Sequence, residues 1–166
     1  EISVQADGQD AVTYKLVGSE WQPQGGKFLK WENETMNFTA YYPATFNGTI
    51  TQPTEYTSLE SLAAADFMSF TGNVPNPGDN SLTLTMERKM ARVVVEIADF
   101  NDQYTKNATV KSVTINGNIK AYKHETDGKF YALINPNSTS STTAPFLTLE
   151  VEDGTSKTTE TLTTTP

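Results

Sequence analysis

His124 is the only imidazole in the chain, and there is no cysteine to accompany it. A Ser-His-Asp arrangement would have to use this histidine, and no G-x-S-x-G elbow is present. The surrounding "KHETDGK" reads as a polar hairpin, so His124 is expected to be a solvated loop residue. Zinc and copper sites need several imidazoles or thiolates, so neither metal is expected. The missing cysteines also exclude disulfides and thiol nucleophiles. Four carboxylate pairs lie close in sequence: Glu32 and Glu34, Glu55 and Glu60, Asp99 and Asp102, Glu150 and Glu152. Two carboxyl groups can serve as acid and base in glycoside hydrolysis. Alternate acidic positions on a strand are more simply its wet face. The oxygen-rich "ADGQD" and "NPGDN" suit a hard cation, yet neither has EF-hand spacing, and both read as turns. No cofactor is expected.

Aromatic residues give a second kind of candidate. Trp21, Trp31, Tyr41, Tyr42, Phe46 and Tyr56 crowd the first third of the chain. Aromatic rings stack on sugar faces, which makes Trp21, Trp31 and Tyr41 candidates for glycan contact. Packing is the competing reading, and the favoured one. In "MNFTAYY", Met36, Phe38, Ala40 and Tyr42 share one face of a strand, while Asn37, Thr39 and Tyr41 share the other. Tyr42 should therefore close the core at the end of the sheet, leaving Tyr41 outward. Pro43 has no N–H and should end the strand. Five N-x-[ST] sequons, at Asn33, Asn37, Asn47, Asn107 and Asn137, are mostly accidental in a chain so rich in Ser and Thr.

These candidates need strands to carry them. The chain has 166 residues and 26 threonines, a β-branched excess that favours strands. Its length predicts a single domain over 1–166, with a Thr-rich tail at 155–166. Period-2 alternation marks "AVTYKLV", "KFLKW", "MNFTAYY", "SLTLTM", "MARVVVEI", "KFYALI" and "PFLTLEV". Asn116-Gly117 in "VTINGNIKAY" is a strong hairpin signal, because a type I′ turn requires positive φ at both central residues. Only "SLESLAAAD", residues 58–66, reads as helix, capped by Ser58 and with Leu59, Leu62 and Ala63 on one face. Short strands separated by turns predict an all-β antiparallel sandwich or barrel. The net charge of −8 and pI near 4.6 argue against nucleic acid and anionic membrane surfaces. No apolar run is long enough to span a bilayer. Glu1 is not an initiator methionine and no signal peptide is visible, so a processed or trimmed form is expected.

Three segments in order resemble the fimbrillin-like proteins, the anchored or polymerised surface subunits of type V pili in anaerobic Gram-negative bacteria of gut and mouth. They are "W…FLKW…MNFTAYYPA" (21–44), "LAAADFMSFTG" (62–72) and "LTLTMERKMARVVVEI" (82–97). The best single motif is Ala40-Tyr41-Tyr42-Pro43 followed by Asp66-Phe67. Met86 stands where the family pattern has phenylalanine, and Arg88 where it has histidine. The resemblance implies a transthyretin-like β-sandwich of two sheets. It also implies a lipoprotein precursor exported to the outer membrane, and a fimbrium built by strand exchange. A protease would remove an N-terminal strand, and a neighbour's strand would fill the groove. Family members extend beyond both ends of this sequence, so a fragment or N-terminal domain is expected. The partners implied are other fimbrial subunits, and host or bacterial surface glycans or proteins. A structural or adhesive fimbrial subunit is thus the first reading and a carbohydrate-binding surface lipoprotein the second; a hydrolase comes last.

Overall fold

The computed structural model describes residues 1–138, 145–154 and 156–162. The chain is all-β, in the antiparallel β-sandwich class, with one short connector helix. It forms two compact units, Glu1–Thr51 with Asp66–Met90, and Gln52–Ala65 with Ala91–Pro166.

The first unit is one antiparallel sheet. In chain order its strands are β1 (Ile2–Ala6), β2 (Val12–Val17), β3 (Glu20–Pro23), β4 (Thr35–Tyr42), β5 (Met68–Pro75) and β6 (Glu87–Arg88). Across the sheet the order is β3-β2-β1-β4-β5-β6. The alternation seen in sequence decides which face is apolar. Pairing sets Val4 against Ala40, Ala6 against Phe38, and Val4 against Val12. Val4, Ala6, Met36, Phe38 and Ala40 make a buried cluster on that face. The opposite face carries Ser3, Gln5, Thr13, Asn37, Thr39, Thr71 and Asn73, as expected for a sheet with one wet side.

The second unit contains α1 (Leu59–Ala64) and the strands β7 (Ala91–Val95), β8 (Thr109–Ile115), β9 (Ile119–Lys120), β10 (Tyr122–Lys123), β11 (Phe130–Ile134), β12 (Leu147–Asp153) and β13 (Ser156–Leu162). They pair as β10-β11-β7 and β13-β12-β8-β9. Val113, Ile115, Ile119 and Phe130 are its largest fully buried side chains. In β7, Ala91, Val93 and Val95 are half-buried and Arg92 is exposed, as the alternation requires. Asn116 and Gly117 both take positive φ in the β8–β9 turn. Ile115 pairs with Ile119, so that turn has three residues and not two. Ser58 caps α1 through a box with Ser61.

Three expectations change. The segment "KFLKW" is not a strand, and β3 lies just before it. Pro23 withholds an N–H, and Gly25 and Gly26 turn the chain at φ near +69° and +68°, so it leaves the sheet there. All of "SLTLTM" is likewise without strand pairing, which begins only at Glu87. Leu59, expected to share one apolar face of the helix with Leu62 and Ala63, is 52% exposed. Of the Thr-rich tail, residues 156–162 pair with β12, and residues 163–166 lie outside the described residues.

Candidate functional site

The apolar face of the first unit's sheet is roofed by two segments without strand pairing, residues 28–31 and 80–86. Leu29 and Trp31 from the first, and Leu82, Leu84 and Met86 from the second, pack against the buried cluster. The roof is incomplete and leaves a groove of about 890 Å³. Its floor is Ile2, Val4, Tyr14 and Phe38, and Trp21 and Phe28 stand along its side. The size and the mostly apolar lining with a few polar groups are those of a binding site.

One margin of the groove is unusually apolar. Leu16, Trp21 and Phe28 are 49%, 47% and 64% exposed. Leu16 is opposite Trp21 in the β2–β3 ladder, so both lie on the groove side of the hairpin. The same margin has open main chain. Gln24 N–H donates to Thr13 C=O, so Glu20 and Gln22 point their main-chain groups at β2, and Trp21 and Pro23 point theirs outward. Trp21 offers a donor and an acceptor there, and Pro23 an acceptor alone. Open strand edges beside apolar surface are where foreign strands add.

At the other side of the sheet, β6 covers only Met68 and Ser69 of β5. Lys89 N–H donates to Phe67 C=O, which fixes the outward set of β5 as Thr71 and Asn73. Among the described residues these groups have no main-chain partner.

The candidate aromatics divide between separate environments. Trp21 and Trp31 line the one groove. Trp31 is half-buried with its ring edge-on to Phe38 at 5.1 Å, whereas Trp21 is exposed. Tyr41 lies on the opposite face, half-buried, edge-on to Phe46 at 5.6 Å. Phe46 in turn stacks on Phe67 at 4.6 Å. Tyr42 is half-buried at the end of β4, directly before Pro43. Phe46 and Tyr56, which belong to the same crowd of aromatics in the first third of the chain, are buried at 7% and 2% exposure. Tyr56 Oη donates to Leu133 C=O at 2.7 Å, and burial pushes its pKa up. Asp66 binds Arg88, with Oδ2 3.1 Å from Nη2. The motif residues Tyr41, Asp66 and Phe67 thus hold loops to the sheet. Sequence reasoning missed Phe28 and the two leucines Leu82 and Leu84 as groove residues. Their alternation is visible, but alternation alone does not separate a paired strand from an unpaired segment packed on a sheet.

Three of the carboxylate candidates have partners close by. Glu55 pairs with Lys120, Glu152 with Lys111, and Glu150 accepts from Ser112. His124 Nδ1 is 3.1 Å from Asp127 Oδ1 without hydrogen-bond geometry. Asp127 accepts from the Tyr131 hydroxyl and the Lys129 N–H, and these hold its pKa down to about 2. Among the described residues, no three of His, Cys, Asp and Glu gather as a metal site, and no helix is long and apolar enough to cross a membrane.

A family model described as fimbrillin-like matches residues 3–165. The fold is similar to a fimbrial protein from Bacteroides ovatus ATCC 8483, with a TM-score of 0.58 and 15% identity. That likeness covers 96% of this chain and 39% of the other, so the chain spans well under half the length of that protein. No curated protein sequence matches significantly.

Proposed function

The chain belongs to the fimbrillin-like family, and from that premise we propose that it is a structural or adhesive subunit of a cell-surface fimbria, joined to other subunits by strand addition. The observation that carries the reading is the β3 margin, where exposed Leu16, Trp21 and Phe28 lie beside an apolar groove and open main chain. A lipid could cover the side chains but would leave the Trp21 N–H and C=O unpaired. An extended peptide satisfies both: its main chain bonds the edge and alternate side chains enter the groove. The role needs no catalysis. Export as a lipoprotein to the outer membrane, a transthyretin-like topology and protease-triggered exchange belong to the same proposal.

The test is an unboiled SDS gel of the full-length mature protein before and after limited trypsin. SDS-resistant multimers that appear on trimming, and that weaken in Trp21→Lys, are the expected result. A lone monomer band in both lanes would overturn the assembly reading.

A second reading, a carbohydrate-binding module, draws support from two tryptophans lining one groove. It requires that Trp21→Ala abolish binding on a glycan array while leaving the melting temperature in place. Unchanged glycan binding in that variant would remove it.

A further inference from the structure

Residues 81–86 have the pattern of a strand without its bonds. Leu82, Leu84 and Met86 are half-buried, and Ser81, Thr83 and Thr85 between them are exposed. The segment leads directly into β6, where Arg88 pairs with Met68 and Glu87 with Ser69. Extending that register sets Met86 opposite Phe70, Leu84 opposite Gly72 and Leu82 opposite Val74. Directly opposed residues share a face, and Phe70 and Val74 already pack on the apolar cluster. The three apolar side chains would therefore land on the correct face. The outward N–H and C=O groups of Thr71 and Asn73, without main-chain partners among the described residues, would gain them. In the structure the segment instead turns its side chains into the groove, where Leu82, Leu84 and Met86 form part of the wall.

We propose that residues 81–86 are a two-position strap: in one position they line the groove, and in the other they zip onto β5 as a longer β6 and vacate groove volume for an incoming strand. The register, the alternation and the open β5 groups all name the same second seat. The turn before the strap, with Gly78 and Asn80 both at positive φ, is where the chain would pivot. Leu84 would settle opposite Gly72, where Phe70 lies close enough that an added Cβ would meet its ring at 3.3 Å. In moving between the two positions the segment would exchange side-chain burial in the groove for ladder bonds on β5. The consequence for assembly rests on the strand-addition reading above; the second seat itself does not.

Because the chain has no cysteine, engineered pairs report position without background. In the zipped register residues 73 and 83 are a hydrogen-bonded pair with Cα atoms about 5.5 Å apart, within the roughly 4.4–6.8 Å that a disulfide spans. The double variant Asn73→Cys/Thr83→Cys is expected to oxidise under mild oxidant, and the out-of-register Asn73→Cys/Thr85→Cys to stay reduced. The locked form should also show greater acrylamide quenching of Trp21 and Trp31, the chain's only tryptophans. In the unmodified protein, hydrogen exchange should show the Thr71 and Asn73 amides protected above exposed-loop rates. Equal oxidation of both pairs, or loop-rate exchange at those two amides, would overturn the strap. Failure of the full-length protein to multimerise would instead remove the assembly reading, and a register-specific disulfide would stand regardless.

Discussion

Replacing Trp31 by alanine separates packing from recognition most sharply. Its ring is half-buried, meets Phe38 edge-on at 5.1 Å, and helps cover a residue that is only 2% exposed. Truncating a fully buried Trp costs about 3–5 kcal/mol. Half-burial lowers that, and loss of the edge contact adds back ~0.5–1.5 kcal/mol, so about 2–3 kcal/mol is expected. For a chain of this size each kcal/mol moves Tm by roughly 2–4 °C, which gives a drop of about 5–10 °C. Trp21→Ala, at a site 47% exposed, should cost less than about 1 kcal/mol. The assay is urea and thermal unfolding followed by far-UV circular dichroism, since either variant alters the fluorescence signal itself. If Trp31→Ala melted with the parent chain, the ring would not be part of the core and the groove roof would be wrongly drawn. If Trp21→Ala fell as far as Trp31→Ala, the exposed margin would be a packed surface and the docking argument would lose its basis.

Tyr56→Phe should cost about 1 kcal/mol, because Leu133 C=O keeps a second donor in Gln52 Nε2 at 3.0 Å. Adding Gln52→Ala should exceed the sum of the singles, as read by denaturant midpoints in a double-mutant cycle. Gly117→Ala should destabilise by about 1 kcal/mol, because φ is +76° there, although nothing lies within 4 Å of an added Cβ; equal stability would mean the turn relaxes. Asp127 has a folded pKa of about 2 against an ordinary 3.8, so its stabilisation is fully present above the ordinary value and is lost as pH falls through about 2. The stability gap between the parent chain and Asp127→Asn should therefore be constant above about pH 5 and close on acidification. A gap that widened in acid would reverse the sign of that linkage.

Much of the fold was legible because sheet faces are written in period 2. Thr35–Tyr42 and Ala91–Val95 bury the residues that alternation assigns, and the Asn116-Gly117 turn adopts the positive φ its residues favour. Ser58 capped its helix for the same local reason. The partition of the aromatics was less legible. Phe46 and Tyr56 sit outside the regular strands, so no alternation speaks for them. Phe46 is buried by a stack on Phe67, more than 20 residues along the chain, and Tyr56 is tied to a carbonyl in β11.

The groove was hidden for a related reason. Alternation states which side chains share a face, but not whether the main chain beneath them is paired. Residues 35–42 and 81–86 have the same pattern, yet the first occupies a central strand and the second packs its leucines into a roof. The difference lies in neighbours: Thr35–Tyr42 is flanked by β1 and β5, each of which satisfies its main chain, whereas residues 81–86 can reach only one edge. A segment with one available partner gains fewer main-chain bonds from joining a sheet, so side-chain burial elsewhere can compete. Such competition arises at sheet ends, and β3 and β5 show it on opposite sides of the same sheet. Pro23 withholds a donor from the first, and the strap leaves the second unpaired beyond Ser69. The proposed joining by strand addition needs ends in this condition, since an edge fully satisfied within its own chain has nothing left to offer a neighbour.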